Sequence, residues 1–514
     1  MQDVPPDIWA LIAGYVPSPA LPTLMCVNRT LFNLVLDTRY GTVEWGTPDK
    51  KLIRLLERLQ DPLVASHVRR LHIRPWFIQY LFEREALFQR SSLMERETWS
   101  YTFGQMLNYF YPSESNTTPD DRPPRPHGFT TYPSTKELMN SMIKAIKGMT
   151  NVVECEFQWR DMPVNADTLS FLSSARASFN SKLSKLILRT RVSRFGQILT
   201  FADFPHLTEL ELHFEYDPST ERGIDEINVD VLIQSVAPFI SRLQGTLHTL
   251  TIASVARCDH SAFLRALGTL PNLRTLTLQM QFNDAQYLYS PSSLSNLLLR
   301  HKAFLTTLVI RPNYDEGLSK ALAAWQAISD TCTADLSSLV NLESLTFPTT
   351  DLPTMTSLIH NAPAHLHTLR LFGRYLPPEE VSSVISALGS LTKLRTLSLD
   401  IQLLNPELFS LLAPTLPALH SLTLVLETSP NLYNTHTFLN EGYVPQTDWQ
   451  LYDLAIYHKY HKEDSNLNTP STNMEHDLMW HIASHILPNV KSFKGTGYKR
   501  SRWQSVPALG IGAH

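Results

Sequence analysis

One six-residue phrase, L-x-x-L-x-L, returns along most of this chain and limits what it can fold into. It reads LSKLIL from Leu183, LTELEL from Leu207, LHTLTI from Leu247, LRTLTL from Leu273 and LTTLVI from Leu305. It continues as LESLTF from Leu342, LHTLRL from Leu366, LRTLSL from Leu394, LHSLTL from Leu419 and, more weakly, LYDLAI from Leu451. Looser copies are VRRLHI from Val68, VVECEF from Val152 and VKSFKG from Val490. The last two apolar positions alternate with a polar one, as a short half-buried strand requires. Leucine-rich helices contain the same spacing, but the threonine and serine beside most copies favour strands.

From Leu183 to Leu451 successive copies start 24 to 40 residues apart. Such a step holds one strand and one returning segment. Helical patterns fill several of the gaps: DVLIQSVAPFISRL at 230–243, PEEVSSVISALGSL at 378–391 and PELFSLLAPTL at 406–416. Proline or aspartate stands near each start, and apolar residues recur three to four apart. The phrase resembles that of leucine-rich repeats, over most of 150–495. The resemblance implies an α/β repeat solenoid, a horseshoe with a parallel sheet inside and helices outside. One departure is that the family's asparagine, three residues past the last leucine, is replaced by Gln281, Arg374 or Gln402.

Composition excludes several function classes. The net charge is −4, from 44 basic and 48 acidic residues. No global basic field exists to attract nucleic acid, and none is expected as a partner. Only 18 of 514 residues are glycine, fewer than backbone wrapped around phosphates commonly needs. Four scattered cysteines, Cys26, Cys155, Cys258 and Cys332, give no C-x-x-C pair and fit a reducing compartment. No run of 18 apolar residues is present, so no membrane span is expected. The start MQDVPPD lacks a basic region and a long apolar region, so no secretory signal is expected either. The expected location is the cytoplasm, the nucleus or both.

Four segments follow: a helical unit at 1–45, linker helices with a first repeat-like strand at 46–150, the repeats at 151–495 and a tail at 496–514. Within the linker, TPDKKLIRLLERLQDPLVAS at 47–66 puts Leu52, Leu55, Leu56 and Leu59 on one helix face. Residues 112–135 are rich in proline and polar side chains and are expected to form a mobile loop. In the opening unit Pro5-Pro6-Asp7 starts a helix carrying Ile8, Leu11, Ile12 and Tyr15. Pro17-Ser18-Pro19 stops it. Leu21, Leu24 and Val27 suggest a second helix, and Thr30 the beginning of a third with Leu31, Leu34 and Val35 inward. A three-helix unit of this size buries little surface alone and usually needs a partner or the rest of the chain.

That stretch resembles an F-box, through Val4-Pro5, Asp7, Ile8, Ile12, Tyr15-Val16, Leu21, Leu24, Val27 and Arg29. Ala13 stands where the family often has phenylalanine, and Asn28-Arg29-Thr30-Leu31-Phe32 replaces its Cys-x-x-Trp ending. With VNRTLFNLVLDTRYGTVEW following, the segment looks like fungal F-box proteins. The resemblance implies docking onto the Skp-type adaptor of a cullin–RING ubiquitin ligase, with the repeats holding a protein substrate. Pro5, Ile8, Ile12, Leu21, Leu24 and Val27 are the candidate adaptor-binding residues, each of them equally able to be buried inside the knot.

In the repeat phrase, the residues between the leucines point away from the core and line the concave sheet face. Most are threonine or serine. Arg189, Arg311, Arg370, Phe372 and Tyr457 stand out as candidate substrate-binding residues, because arginine and aromatic side chains dominate interface energetics. No hydrolase, P-loop or zincin motif occurs, and no enzyme activity or cofactor is expected. The histidines His458, His461, His476, His481 and His485 are the densest chemistry. His481 and His485 have a helical-turn spacing that can hold zinc, with Glu475 or Asp477 as a third ligand; surface histidines are the commoner case, and no metal is expected. Two further readings stay open beside the ligase receptor: a repeat scaffold whose opening knot packs internally, and a metal-dependent enzyme.

Overall fold

The computed structural model describes residues 5–17, 19–46, 49–74, 78, 134–159, 162, 164–202, 204–215, 226–254, 259–280, 290, 292–312, 333, 335–348, 351–405, 407–427, 445–459 and 482–497. The chain divides into two compact units, Met1–Ser184 with Thr200–His206, and Lys185–Leu199 with Leu207–His514.

The first unit opens with helix α1 (Pro6–Gly14), a 3-10 turn (Leu21–Leu24) and helix α2 (Arg29–Tyr40). Pro5 occupies the cap position of α1, where a missing N–H costs nothing, and Asp7 adds negative charge to the first turn. The expected second helix is a single 3-10 turn: Thr23 N–H donates to Ala20 O at 3.1 Å and Met25 N–H to Pro22 O at 3.3 Å, each three residues back. The third helix is capped by Asn28, not begun at Thr30: the Asn28 side chain accepts from Leu31 N–H at 2.8 Å. Ala13, Leu21, Leu31 and Val35 form the buried centre, with Trp9, Val16, Leu24, Met25 and Leu34 packed against it.

Strand β1 (Thr42–Trp45) follows α2 directly and pairs in parallel with β2 (Arg70–Ile73), which pairs with β3 (Glu154–Gln158). The expected long helix at 47–66 is two helices, α3 (Lys50–Arg58) and α4 (Pro62–Ala65), divided at Asp61-Pro62. Asp49 and Asp61 cap them through side-chain bonds to Leu52 N–H and Leu63 N–H. Leu52, Leu56 and Leu59 are buried, while Leu55 is half-buried. The helix Thr135–Gly148 begins in a capping box of Ser134 and Glu137, inside what the sequence marks as loop. The rest of that stretch, 112–133, lies outside the described residues.

The second unit is an α/β solenoid of leucine-rich-repeat type. Its strands are β4 (Lys185–Arg191), β5 (Glu209–Glu215), β6 (Thr249–Ser254), β7 (Thr275–Met280), β8 (Thr307–Pro312), β9 (Ser344–Pro348), β10 (Thr368–Phe372), β11 (Thr396–Ile401), β12 (Ser421–Glu427), β13 (Asp453–Lys459) and β14 (Ser492–Gly497). All pair in parallel in chain order, and the phrase sets the register. Leu210, Leu250, Leu276, Leu308, Leu345, Leu369, Leu397 and Leu422 therefore stack as one row, each at most 1% exposed. Period two sends that row to the helical side and the intervening polar residues to the other.

The returning helices include Leu352–Asn361, Pro378–Leu388 and Glu407–Thr415, which pack side by side. The expected helix at 230–243 is interrupted by a π turn, Leu232–Val236, just before Pro238. Pro238 has no N–H to give and crowds the carbonyl four residues back, and the wider turn absorbs that conflict.

Asparagines clasp neighbouring turns. Asn151 Nδ2 donates to Ser66 O in the first unit at 2.7 Å. In the second unit Asn272 donates to Gly245 O at 2.8 Å and Asn341 to Ala303 O at 2.7 Å. Asn489 donates to Thr447 O and Trp449 O at 2.6 and 3.0 Å. Each sits immediately before the first apolar residue of its phrase. The role of the missing family asparagine is thus partly served from the opposite end of the strand. His301, fully buried, ties another seam: Nδ1 donates to Leu297 O at 2.7 Å and Nε2 accepts from Leu270 N–H at 3.0 Å.

Candidate functional site

Two surfaces carry the candidate residues, one in each unit. The first is built on α1. Its inward stripe is Trp9, Ala13 and Val16, at helical spacing. A second apolar stripe on the same helix faces solvent: Ile8 is 42% exposed, Leu11 60%, Ile12 43% and Tyr15 84%. Val27, from the turn before α2, is 57% exposed. Pro5 is exposed as well. Of the other sequence candidates, Leu21 is buried in the knot and Leu24 is half-buried against it. These two are therefore core residues of the opening unit. Leu11 and Tyr15, i+3 and i+7 from Ile8, also belong to the exposed stripe, and that spacing is legible in the sequence.

The second surface is the polar face of β4–β13. Across the strands one row reads Ile187, Glu211, Thr251, Thr277, Val309, Thr346, Arg370, Ser398, Thr423 and Ala455. The next row holds Arg189, His213, Ala253, Gln279 and Arg311, and further along Phe372 on β10 and Tyr457 on β13. At the β4–β5 end Glu211 accepts from His213 and lies 3.8 Å from Arg189. The His213 hydrogen bond is the main force holding the Glu211 carboxyl below its ordinary pKa, with Arg189 and Lys185 adding to it.

Arg311 and Arg370 are differently placed. The Gln279 amide oxygen accepts from the Arg311 guanidinium. Burial, then the like charge of Arg370, hold the Arg311 pKa below its ordinary value, while Glu211 opposes this. The Arg370 guanidinium lies 5.9 Å from the Phe372 ring centroid, a cation–π contact. Among the described residues neither arginine has a carboxylate within 4.0 Å. Just past Phe372 the chain turns at Gly373, whose φ of 99° is the left-handed region, and Gly373 N–H donates to Asp400 at 2.7 Å. The structure thus brings Arg311, Arg370 and Phe372 together. Arg189, four strands from Arg311, and Tyr457, three strands from Phe372, stand apart. Burial raises the Tyr457 pKa.

The polar face of the first unit contrasts with this. There Arg70 pairs with Glu154 at 3.4 Å, Arg74 with Glu44 at 3.1 Å and His72 with the buried Glu156 at 2.8 Å. On the helical side of the second unit an open depression of about 440 Å³ is lined by Arg265, Asn296, Leu299 and Arg300. Arg300 spends its donors on the carbonyls of Leu264, Arg265 and Leu267, closing the end of the helix Ser261–Ala266.

Among the described residues no group of three or more His, Cys, Asp or Glu side chains is placed to hold a metal. Of the C-terminal histidines, His485 is exposed on a π turn, Ile482–Ile486. His461, His476, His481, Glu475 and Asp477 lie outside the described residues, as does the tail from 498 onward. Cys155 is buried, which pushes its thiol pKa well up. No described helix is long and apolar enough to cross a membrane.

No protein-family model matches this chain, and no curated protein sequence matches it. Two solved structures are similar to it at low identity. A chain of the crystal structure of the Rad7 and Elc1 complex in yeast is 13% identical, with 84% of this chain and 96% of that chain covered and a TM-score of 0.34. A chain of the TLR13–ssRNA13 complex is 14% identical, with 70% of this chain and 62% of that chain covered and a TM-score of 0.27. Both scores are low, and the assignment to the leucine-rich-repeat class stands on the strand phrase, its register and the returning helices.

Proposed function

We propose that this protein is the substrate-recognition subunit of a cullin–RING ubiquitin ligase. Its α1 unit docks a Skp-type adaptor, and its repeats hold the protein to be modified. It acts by binding, without a reaction or cofactor of its own, in the cytoplasm or nucleus. One observation carries the reading: α1 is apolar on two stripes, one already packed and the other open to water. Such a contiguous exposed apolar stripe, on a segment with the F-box order of residues, marks a protein-interaction site.

The test is co-expression with a Skp-type adaptor, comparing wild type with Ile8→Asp/Tyr15→Asp. Both positions are exposed, so the variant keeps its core. Capture by wild type and loss in the folded variant support the proposal. A folded wild type that captures no adaptor sinks it. The inward placement of Leu21 and Leu24 favours the second reading in that event, a repeat scaffold whose opening knot serves the fold alone.

A further inference from the structure

The substrate-binding face has its own chemistry. Arg311 on β8 and Arg370 on β10 flank β9, one residue pair apart along the strands. Two interstrand steps and two residues put their Cα atoms about 11–12 Å apart, within the joint reach of two arginine side chains. Val309 and Thr346 lie between them on the same face. Arginine stays protonated at any physiological pH. Two cations face one shallow surface and repel one another; Gln279 accepts from Arg311 and Glu211 offsets part of its charge, yet among the described residues neither arginine has a carboxylate within 4.0 Å. By contrast, Arg70, Arg74 and Arg189 each have a glutamate within 4.0 Å.

We propose that Arg311, Arg370 and Phe372 form a subsite for an extended acidic segment of a protein partner. Carboxylates on alternate residues of the segment meet the two guanidinia, and an apolar side chain lies on Phe372. Alternate side chains of an extended chain point the same way about 7 Å apart, so each cation receives its own carboxylate, and arginine–carboxylate pairing is bidentate and directional. Two cations suit a short acidic segment better than a nucleic-acid backbone, which needs a longer basic track. Glu209, Glu211 and Asp400 on the same sheet, with the net charge of −4, weigh against such a track. This inference deepens the receptor reading and rests on it only for the partner's being a ligase substrate.

The probe is a fluorescein-labelled peptide of alternating glutamate and serine with a central leucine, about a dozen residues long. Binding is followed by anisotropy, beside glutamine and lysine versions of the same peptide. The expected result is saturable binding of the glutamate peptide, weakened at least about tenfold in the glutamine version. R311E/R370E loses the glutamate peptide and gains the lysine one, and R311Q/R370Q loses the first without gaining the second. Melting curves verify that both variants are folded. Equal binding of the glutamate and glutamine peptides overturns the proposal. So does a folded wild type that binds neither, a reversal variant that binds as wild type does, or displacement of the peptide by a single-stranded RNA at lower concentration. Adaptor capture is measured on the same proteins. Peptide binding without capture removes the ligase reading and leaves this subsite standing, whereas capture without peptide binding does the reverse.

Discussion

Leu11→Ala/Tyr15→Ala separates a docking stripe from a folding core. Fully burying a leucine or aromatic side chain is worth about 1.5–3 kcal/mol. Leu11 is 60% exposed and Tyr15 84% exposed in the free protein. A partner that covers them gains the uncovered share, about 1–2 kcal/mol for Leu11 and about 1.5–2.5 kcal/mol for Tyr15. Losing both costs about 3 kcal/mol, a rise in Kd of roughly 150-fold. The same change barely touches the folded protein, because little of either side chain is buried and alanine is the best helix former. Leu21→Ala is the counterpart. Leu21 is 6% exposed in the knot, so truncation costs about 2–4 kcal/mol of stability. Calorimetric titration with a purified Skp-type adaptor, beside thermal melting of each variant, measures both quantities. A Kd within about fivefold of wild type for the double variant refutes the reasoning. A melting loss in that variant as large as that of Leu21→Ala refutes it equally, since α1 would then be packed on both sides.

Three further outcomes are expected. His301 is held neutral by burial, which pulls its pKa below the ordinary value. The unfolded chain therefore takes up the proton first, and stability present above about pH 6.5 falls as the pH drops below it. Denaturant titrations at several pH values should show that slope, and His301→Phe should flatten it while lowering stability at pH 8 through the orphaned Leu270 N–H, by about 1–3 kcal/mol. Asn272→Ala and Asn341→Ala each remove one clasp and should cost about 0.5–1.5 kcal/mol, adding when combined because they close different seams; a combined loss well short of the sum in denaturant midpoints contradicts independent clasps. Gly373→Ala forces a side chain into the left-handed region and should cost about 1–2 kcal/mol; an unchanged melting curve shows that the turn after Phe372 relaxes freely.

The repeat strands were legible because the phrase states its own periodicity. LRTLTL and LRTLSL alternate apolar and polar residues beside threonine, and even the loose copies at Val68, Val152 and Val490 are strand entrances. Strand β1 is not legible, because TVEW offers only two inward residues, Val43 and Trp45, with no leading leucine. The 3-10 turn at Leu21–Leu24 reads as a helix face because three apolar residues at spacing three fit either helix. The asparagine clasps were hidden by their place before the phrase, where an asparagine in a turn needs no special reason. On the concave face, the residue types that marked Arg311, Arg370 and Phe372 were visible. Their separation from Arg189 and Tyr457 follows from strand order alone, which no single repeat contains. For the opening unit, spacing gave the apolar residues but could not sort inside from outside, because α1 is apolar on both stripes.

The parallel register has a consequence for how such a surface changes over time. Starts of the phrase lie 24 to 40 residues apart, yet equivalent positions still stand in line, one interstrand step, about 4.8 Å, from the next. Distance along the chain and distance across the face are therefore independent. Insertions or deletions between strands leave the spacing of Arg311 and Arg370 untouched, while a single substitution in a strand alters one fixed point of the grid. The face works as a ruler whose marks can be re-lettered one at a time while the material between them is freely lengthened.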